Sequence, residues 1–441
     1  MRRLPLGLVV AVLALPLGCG SAVAAGGQPD PRFGSGGSVT PEIALAAISR
    51  AADGTLLVTG SGTVNGIDPN NQLPYQWGTF GLQWLGEDGS GQRTVVSQDG
   101  LPFGEAIAAT ATATDSAGRV WIAGGTVGDG YSEGQEVVVE RRLADGTLDP
   151  SFGNGGVARV SAGLPDTINA VVALLVEPDG RAVVVTKTDR VFRLSPDGAL
   201  DGAFGIVDPG ALALTDGFLD GDGRIVVAGQ FEDPSDAERD PAGLAILDAG
   251  GHPGPRFTLP GRHGVMAAAL APGGQAILAG DSEVKTADPR TDAVNWAERI
   301  SLATGAPDPS FGDHGSFTHT FGTRIQSEGY YEFVHDLAVG RDGAAILGGQ
   351  YRKVVDDHGN AEGRGFLVRL TPAGQLDTSF GEGGLAPSGA ESSAVTTVAL
   401  DAAGRALSAG NGLHRATAAT AEDAAWPDPV VALAGPSGGG G

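Results

Sequence analysis

A chain of 441 residues with 73 glycines and 27 prolines that is still 41% hydrophobic has very many turns but can bury a large core, which excludes a disordered polymer. The formal charge of −24 comes from 52 acidic against 28 basic residues, and no basic run is present, so nucleic acid is excluded as a partner class. A single cysteine rules out an intrachain disulfide, so the fold must rest on packing.

The N-terminus predicts an export leader over residues 1–25. Arg2 and Arg3 precede an apolar stretch from Leu4 to Leu17 that is short for a membrane span, and Ala22-Val23-Ala24 fits the small-x-small cleavage rule. The mature chain is expected to start at Ala25 or Gly26 and to be secreted or displayed at the cell surface. The lone cysteine opens an alternative. In Leu17-Gly18-Cys19-Gly20-Ser21 it resembles the lipobox of bacterial lipoproteins, with Pro16 where that pattern prefers Leu. Lipidation of Cys19 is then the one expected route to a membrane.

From residue 51 onward a short turn followed by an Ala/Val/Ile/Leu run recurs seven times. The copies are AADGTLLVTG from Ala51, SAGRVWIAG from Ser116, PDGRAVVVT from Pro178, GDGRIVVAG from Gly221, PGGQAILAG from Pro272, RDGAAILGG from Arg341 and AAGRALSAG from Ala402. Their turn glycines are Gly54, Gly118, Gly180, Gly223, Gly274, Gly343 and Gly404. Asp-Gly between β-prone runs is the strongest local hairpin signal, because glycine supplies the positive φ of a turn that matches strand twist. Apolar runs on both sides of the turn predict hairpins buried on both faces.

A second signature lies between the hairpins: LADGTLDPSFGNGG from Leu143, LSPDGALDGAFG from Leu194, LATGAPDPSFGDHG from Leu302 and LTPAGQLDTSFGEGG from Leu370. A looser copy is LDAGGHPGPRFTLPGRHG from Leu247, and a truncated one, QPDPRFGSGG, starts at Gln28. Near residue 101 only Leu101-Pro102-Phe103-Gly104 survives, and Glu87-Asp88-Gly89 is the better turn, leading into a strand from Gln92 to Val96. Each unit reads as strand, turn, strand, loop, strand, turn and a fourth short strand carrying Phe-Gly. Four antiparallel strands per unit, seven units and no sustained helical periodicity predict an all-β, seven-bladed β-propeller. Paired β-sandwiches are the alternative.

The pattern Leu-x-x-x-Gly-x-Leu-Asp-x-x-Phe-Gly-x-x-Gly resembles the delta-60 repeat family of bacterial β-repeats of unassigned function, over about Gln28 to Ala419. That resemblance implies a propeller-like fold and an exported location, and no reaction. The chain starts on a fourth-strand signature at Phe33 and ends on a third-strand candidate, Leu413 to Ala419. The N-terminal strand is therefore expected to complete the last blade and hide two sheet edges. The propeller is assigned to residues 26–430, and 431–441 reads as a Gly-rich flexible tail.

Residues that suggest chemistry have plainer readings. Phe33, Phe152, Phe204, Phe311 and Phe380 recur at one phase, as packing plugs between sheets do. Asp149, Asp308 and Asp377 suit turns capped through their own backbone. Asp216, Asp220 and Asp222 lack the closing acidic ligand of a calcium loop. Thr114 to Trp121 resembles a sialidase-type Asp-box, but Ser116 stands where that motif has Asp. The histidines show no zinc spacing, His314 and His319 being the nearest pair, read as a polar loop. No Gly-x-Ser-x-Gly elbow accompanies a helix. No metal, cofactor or catalytic residue is assigned.

The leading expectation is a monomeric, non-catalytic binding or scaffold propeller for a protein, glycan or small ligand. Its alternatives are a secreted glycan-processing or quinoprotein-like enzyme and a structural envelope component. The long connections (Ser61 to Thr79, Gly125 to Glu136, Asp281 to Val294, Gln350 to Gly363 and Asp313 to Gly329) should gather on one face, where scaffolds carry function. The candidate ligand-binding residues there are Tyr75, Trp77, Arg324, Tyr330, Tyr331, Asp356, Asp357 and His358.

Overall fold

The computed structural model describes residues 26–50, 54–67, 74–96, 106–127, 136–161, 170–232, 240–285, 291–319, 330–354, 361–388, 394–401, 404–410 and 412–417. Those residues form seven four-stranded antiparallel sheets, the blades of a β-propeller. After β1 (Ser38–Val39), blade 1 comprises β2 (Ala44–Arg50), β3 (Leu56–Ile67), β4 (Pro74–Leu85) and β5 (Gly91–Val96). Blade 2 comprises β6 (Ala106–Thr114), β7 (Val120–Val127), β8 (Val137–Arg142) and β9 (Val157–Val160). Blade 3 comprises β10 (Val171–Val176), β11 (Ala182–Thr186), β12 (Val191–Leu194) and β13 (Ile206–Val207). Blade 4 holds β14 (Ala213–Leu219), β15 (Ile225–Gln230), β16 (Ala242–Leu247) and β17 (Pro253–Thr258). Blade 5 holds β18 (Gly264–Ala271), β19 (Gln275–Lys285), β20 (Thr291–Ser301) and β21 (Ser316–His319). Blade 6 holds β22 (Tyr330–Val339), β23 (Ala345–Val354), β24 (Ala361–Leu370) and β25 (Leu385–Pro387). Blade 7 is β26 (Thr397–Leu400), β27 (Ala406–Ala409) and β28 (Leu413–Arg415), completed by β1.

The hairpins arise as the sequence predicts. Gly180 sits at φ 86° and Gly343 at φ 87°, values that a side chain disfavours. The strands flanking Gly180 are buried nearly throughout. The fold departs from the sequence reading in three places. Phe-Gly is not in the fourth strand but in the turn ahead of it, with Phe152 preceding β9 by a bend that also needs Gly155 and Gly156 at positive φ. Residues 61–67, 74–79, 281–285, 291–294, 350–354 and 361–363, read as loop, are strand. So is Ser316–His319, read as part of a blade-to-blade connection. The turn before β5 is Glu87-Asp88-Gly89, with the Gly89 N–H donating to the Gly86 carbonyl at 2.8 Å. Leu101, Pro102, Phe103 and Gly104 lie outside the described residues.

Neighbouring blades are joined by a repeated latch. In blades 1 to 6 the turn between the third and fourth strands presses a positive-φ glycine onto an aromatic ring of the blade before it. A Cβ on Gly198 would lie 3.0 Å from Phe152, on Gly374 2.6 Å from Phe311, on Gly251 2.8 Å from Phe204 and on Gly89 3.0 Å from Phe33. Where the Phe-Gly pattern is loose, other rings do the same job: Trp84 under Gly146 and Phe257 under Gly305. The packing-plug reading therefore holds, since Phe33, Phe152, Phe311 and Phe380 are fully buried and Phe204 nearly so.

An arginine from the third strand stacks over the plug and pairs with the aspartate before it. Arg141 lies 4.7 Å from the Phe152 ring and donates from Nε to Asp149 Oδ2 at 2.8 Å and from Nη1 to the Pro196 carbonyl of blade 3 at 2.6 Å. Arg193 repeats this with Phe204, Asp201 and the Ala249 carbonyl, and Arg299 with Phe311, Asp308 and the Pro372 carbonyl. The aspartates also cap their own turns, as Asp149 Oδ1 does by accepting the Ser151 N–H at 3.0 Å. Charge-assisted bonds in a buried seam are both strong and directional.

Closure uses the same parts. β1 pairs with β28, Ser38 opposite His414 and Val39 opposite Leu413. Phe33 is the plug, Arg415 lies 4.6 Å from its ring, and the fully buried Asp30 receives Arg415 at 3.1 Å and Arg405 at 3.4 Å. Burial raises the Asp30 carboxyl, but hydrogen bonds from Arg32 and the charge of Arg415 win and hold it below the ordinary range.

Candidate functional site

In each blade the first-to-second and third-to-fourth turns fall on one face, the tight-turn face. The second-to-third connections and the crossings between blades fall on the other. On that opposite face three blades rise above the rest. In blade 1, β2 stops pairing at Ser61 and β5 at Gly81, yet β3 and β4 continue through six more pairs, from Gly62–Thr79 to Ile67–Pro74. At about 3.4 Å per residue this two-stranded ribbon projects ~20 Å. In blade 5, β19 and β20 run on from Ser282–Val294 to Lys285–Thr291. In blade 6 three strands extend together, joining Tyr330 to Lys353 and Val354 to Ala361.

Blade 7 stands between two of these extensions and is the shortest, with strands of four, four and three residues plus the two of β1. Among the described residues, the extensions of blades 1 and 6 leave a gap over it. Leu56 and Val58 pack in the core between blades 7 and 1, and further up the same hairpin Val64 pairs with Trp77 and Gly66 with Tyr75. Val334 packs between blades 5 and 6, and beyond it Phe333 pairs with Gln350 and Tyr331 with Arg352.

Tyr75 and Trp77 thus lie on the hairpin extension of blade 1, and Tyr330 and Tyr331 on that of blade 6. Arg324, Asp356, Asp357, His358 and Cys19 lie outside the described residues.

Below the gap, at the outer seam of blades 6 and 7, a cleft of about 20 Å³ is lined by Ser38, Leu367, Ser388, Ser408, His414 and Arg415. Ser38 Oγ and His414 Nδ1 are 2.8 Å apart, and burial lowers the His414 pKa. The buried Ser388 Oγ has no partner among the described residues. The space suits about one water molecule, not an organic ligand.

Two carboxylates that the sequence reading did not assign to a site lie on the innermost strands. Asp336, after the β22 bulge, accepts the Val398 N–H at 2.7 Å and the Thr397 hydroxyl at 2.8 Å from blade 7, and its burial pushes its pKa up to about 7. Asp216, after the β14 bulge, accepts the Ala268 N–H of blade 5 at 2.8 Å, and burial raises its pKa as well. The corresponding inner-strand positions in blades 1, 2, 3 and 5 are alanines: Ala47, Ala111, Ala173 and Ala267. An acid in an alanine-rich inner strand was the readable signal.

The Asp-rich segment of blade 4 is divided between two jobs. Asp220 caps the hairpin turn, accepting the Asp222 and Arg224 N–H groups at 2.9 Å, while Asp216 makes the blade-to-blade bond. The Asp-box-like segment is likewise a turn. Asp115 Oδ1 takes the Ala117 and Arg119 N–H groups, and its Oδ2 takes the indole N–H of the buried Trp121 at 3.1 Å. His314 lies in a turn, while His319 belongs to β21 and stacks on Phe317. Among the described residues no group of three or more His, Cys, Asp or Glu is placed to hold a metal ion.

These features describe a β-propeller with a tight-turn face and a hairpin-bearing face. A family model described as "Domain of unknown function (DUF5122) beta-propeller" matches residues 342–380, which run from the Asp-Gly turn of blade 6 to its Phe plug. No curated protein matches the chain. Among solved structures, a chain of the mitotic checkpoint complex is similar at 12% identity and TM-score 0.48, over 95% of this chain and 98% of that one. The Neurospora crassa Pan2 WD40 domain is similar at 13% identity and TM-score 0.37, over 69% and 85%. The Dos1 propeller is similar at 9% identity and TM-score 0.43, over 85% and 92%.

Proposed function

We propose that this chain is an exported, non-catalytic β-propeller of the delta-60 repeat type that binds a segment of a partner protein in the gap above blade 7. What supports the reading is that the hairpin extension of blade 1 carries Tyr75 and Trp77 and that of blade 6 carries Tyr331 and Arg352. Tyr, Trp and Arg dominate the binding energy of protein interfaces because they bury large area at small entropic cost. Arg324, Asp356, Asp357 and His358, which lie outside the described residues, and Tyr330 are proposed as further contacts of the same site. The leader over residues 1–25 supports export, with Cys19 as the alternative lipid tether.

A photo-crosslinking residue introduced singly at 77, 331, 179 or 342, in the native host, tests the site. Discrete protein adducts are expected from 77 and 331, with the adduct at 331 lost on adding Trp77→Ala. Adducts from 179 and 342 alone would overturn the assignment of faces. No protein adduct from any of the four would overturn the partner class in favour of a glycan, a small ligand or a purely structural role. N-terminal sequencing of the same material should begin at Ala25. A diacylglyceryl Cys19 would select the tethered form, and an intact Met1 on a cytoplasmic protein would contradict export.

A further inference from the structure

We infer that residues 26–30 and 415–417 together form the seventh copy of the third-to-fourth-strand turn, split at a single residue position. The intact turn of blade 3 sets the pattern. There the Ser195 N–H donates to the Ala199 carbonyl and the Gly198 N–H to the Ser195 carbonyl, each at 2.8 Å. Leu194 bridges Leu200, and the Asp201 N–H donates to the Arg193 carbonyl at 2.8 Å. The Asp197 carbonyl receives the Gly153 N–H of the preceding blade at 2.7 Å.

Every one of these bonds reappears between the chain ends. The Thr417 N–H donates to the Gln28 carbonyl and the Gly27 N–H to the Thr417 carbonyl, each at 2.8 Å. Ala416 bridges Pro29, and the Asp30 N–H donates to the Arg415 carbonyl at 2.9 Å. The Gly26 carbonyl receives the Gly381 N–H of blade 6 at 2.5 Å. Gly27 stands where Gly198 does. It has φ 80° against 86°, and a Cβ on either would lie 2.6 Å from the amide nitrogen of the preceding blade's Phe-Gly glycine, Gly381 or Gly153. Thr417 matches Ser195 and Gly26 matches Asp197, so the one position without a counterpart is that of Pro196.

A turn needs continuity only to limit what its ends can do when apart, and here the flanking ladder and latch supply that order without a covalent link. Gly26 and Thr417 therefore stand together at the base of blades 6 and 7, on the face opposite the gap.

The test is a circular permutant of residues 26–417 in which one alanine joins Thr417 to Gly26 and new ends open between Gly273 and Gly274, an exposed turn. One inserted residue spans two peptide steps, at most about 7 Å, so this linker permits folding only if the ends are adjacent. The permutant is expected to fold as cooperatively as the linear 26–417 chain and to melt several degrees higher. A one-residue permutant that fails to fold, beside one with a twelve-residue Gly/Ser linker that folds, would overturn the split turn. Should the new opening itself prevent folding, the unpermuted chain still decides the matter. Gln28→Cys with Thr417→Cys, in a Cys19→Ser background, should form an intramolecular disulfide quantitatively on mild oxidation. Persistent free thiols would contradict adjacency. Neither readout depends on a binding partner, so this inference and the binding proposal fail separately.

Discussion

The two faces of the propeller are built on opposite plans. On the tight-turn face six of the seven seams repeat one solution, a positive-φ glycine pressed on an aromatic plug, usually with an arginine reaching the next blade's turn. On the other face no two blades need agree: β11 ends after five residues, whereas β3 runs for twelve. The face that holds the ring together cannot vary without opening a seam, while the other can lengthen its hairpins at little cost to the core. Conservation of geometry on one side is what makes variation on the other affordable.

Removing part of the holding face should have the largest effect. Deleting 28–40 takes away Phe33, Asp30 and β1, leaving the edge of β28 unpaired and Arg415 without its carboxylate. Calorimetry should show loss of the cooperative transition, while deleting 435–441 leaves the melting temperature unchanged. Equal melting temperatures for the two truncations would break the comparison. Next come single latch residues. Asp30→Ala and Arg141→Ala each strand a buried charge and should cost about 3–5 kcal/mol in urea denaturation. Losses within about 0.5 kcal/mol would mean that the latches are dispensable.

A smaller effect is expected from pH. Asp336 titrates at about 7 in the folded ring because it is buried, against 3.8 in the unfolded chain, so the folded state holds the proton more tightly. Its stabilising contribution is complete below about pH 4 and is lost as pH rises through 7. Melting temperatures of the wild type and Asp336→Asn, compared from pH 4 to 8, should show the wild type losing ground to the variant over that window. A constant difference would mean that Asp336 is ionised throughout. The smallest effect on stability belongs to the variable face. Trp77→Ala with Tyr331→Ala should shift stability by less than about 1 kcal/mol, while abolishing the crosslinked adducts. The reverse pattern, a large destabilisation with adducts intact, would assign these aromatics to packing.

How much of this was legible depended on whether a residue's job is local. Asp179-Gly180 declares a hairpin because the demand for positive φ is met within the turn, and Phe152 declares a plug by recurring at one phase. The latch arginine is nearly as periodic, with Arg141 eight residues before Asp149 and Arg193 eight before Asp201. Its meaning required knowing that the chain doubles back between them and that a carbonyl of another blade lies within reach. Trp84 and Phe257 went unassigned because they fill the plug site from a strand, without a Phe-Gly behind them. The tall hairpins were missed for a different reason. Residues 62–67 and 74–79 show no sustained apolar alternation to mark a strand, and their glycines, Gly62, Gly66 and Gly78, read as loop. Of the candidate site, that Tyr75, Trp77 and Tyr331 stand on the hairpin extensions of blades 1 and 6 follows from strand pairing, which no local pattern encodes.

The central claim, a ring closed all round by equivalent latches, is tested most directly by native-state hydrogen exchange at the Phe-Gly amides. Gly153, Gly312 and Gly34 donate to the Asp197, Ala373 and Asp88 carbonyls of the next blade, and Gly381 donates to Gly26 at the split turn. All four amides should exchange only through global unfolding, with protection that falls together as urea is added. Rapid exchange at Gly381, while Gly153 and Gly312 stay protected, would show that the ring opens at the seam between blades 6 and 7, and that the chain ends do not close it.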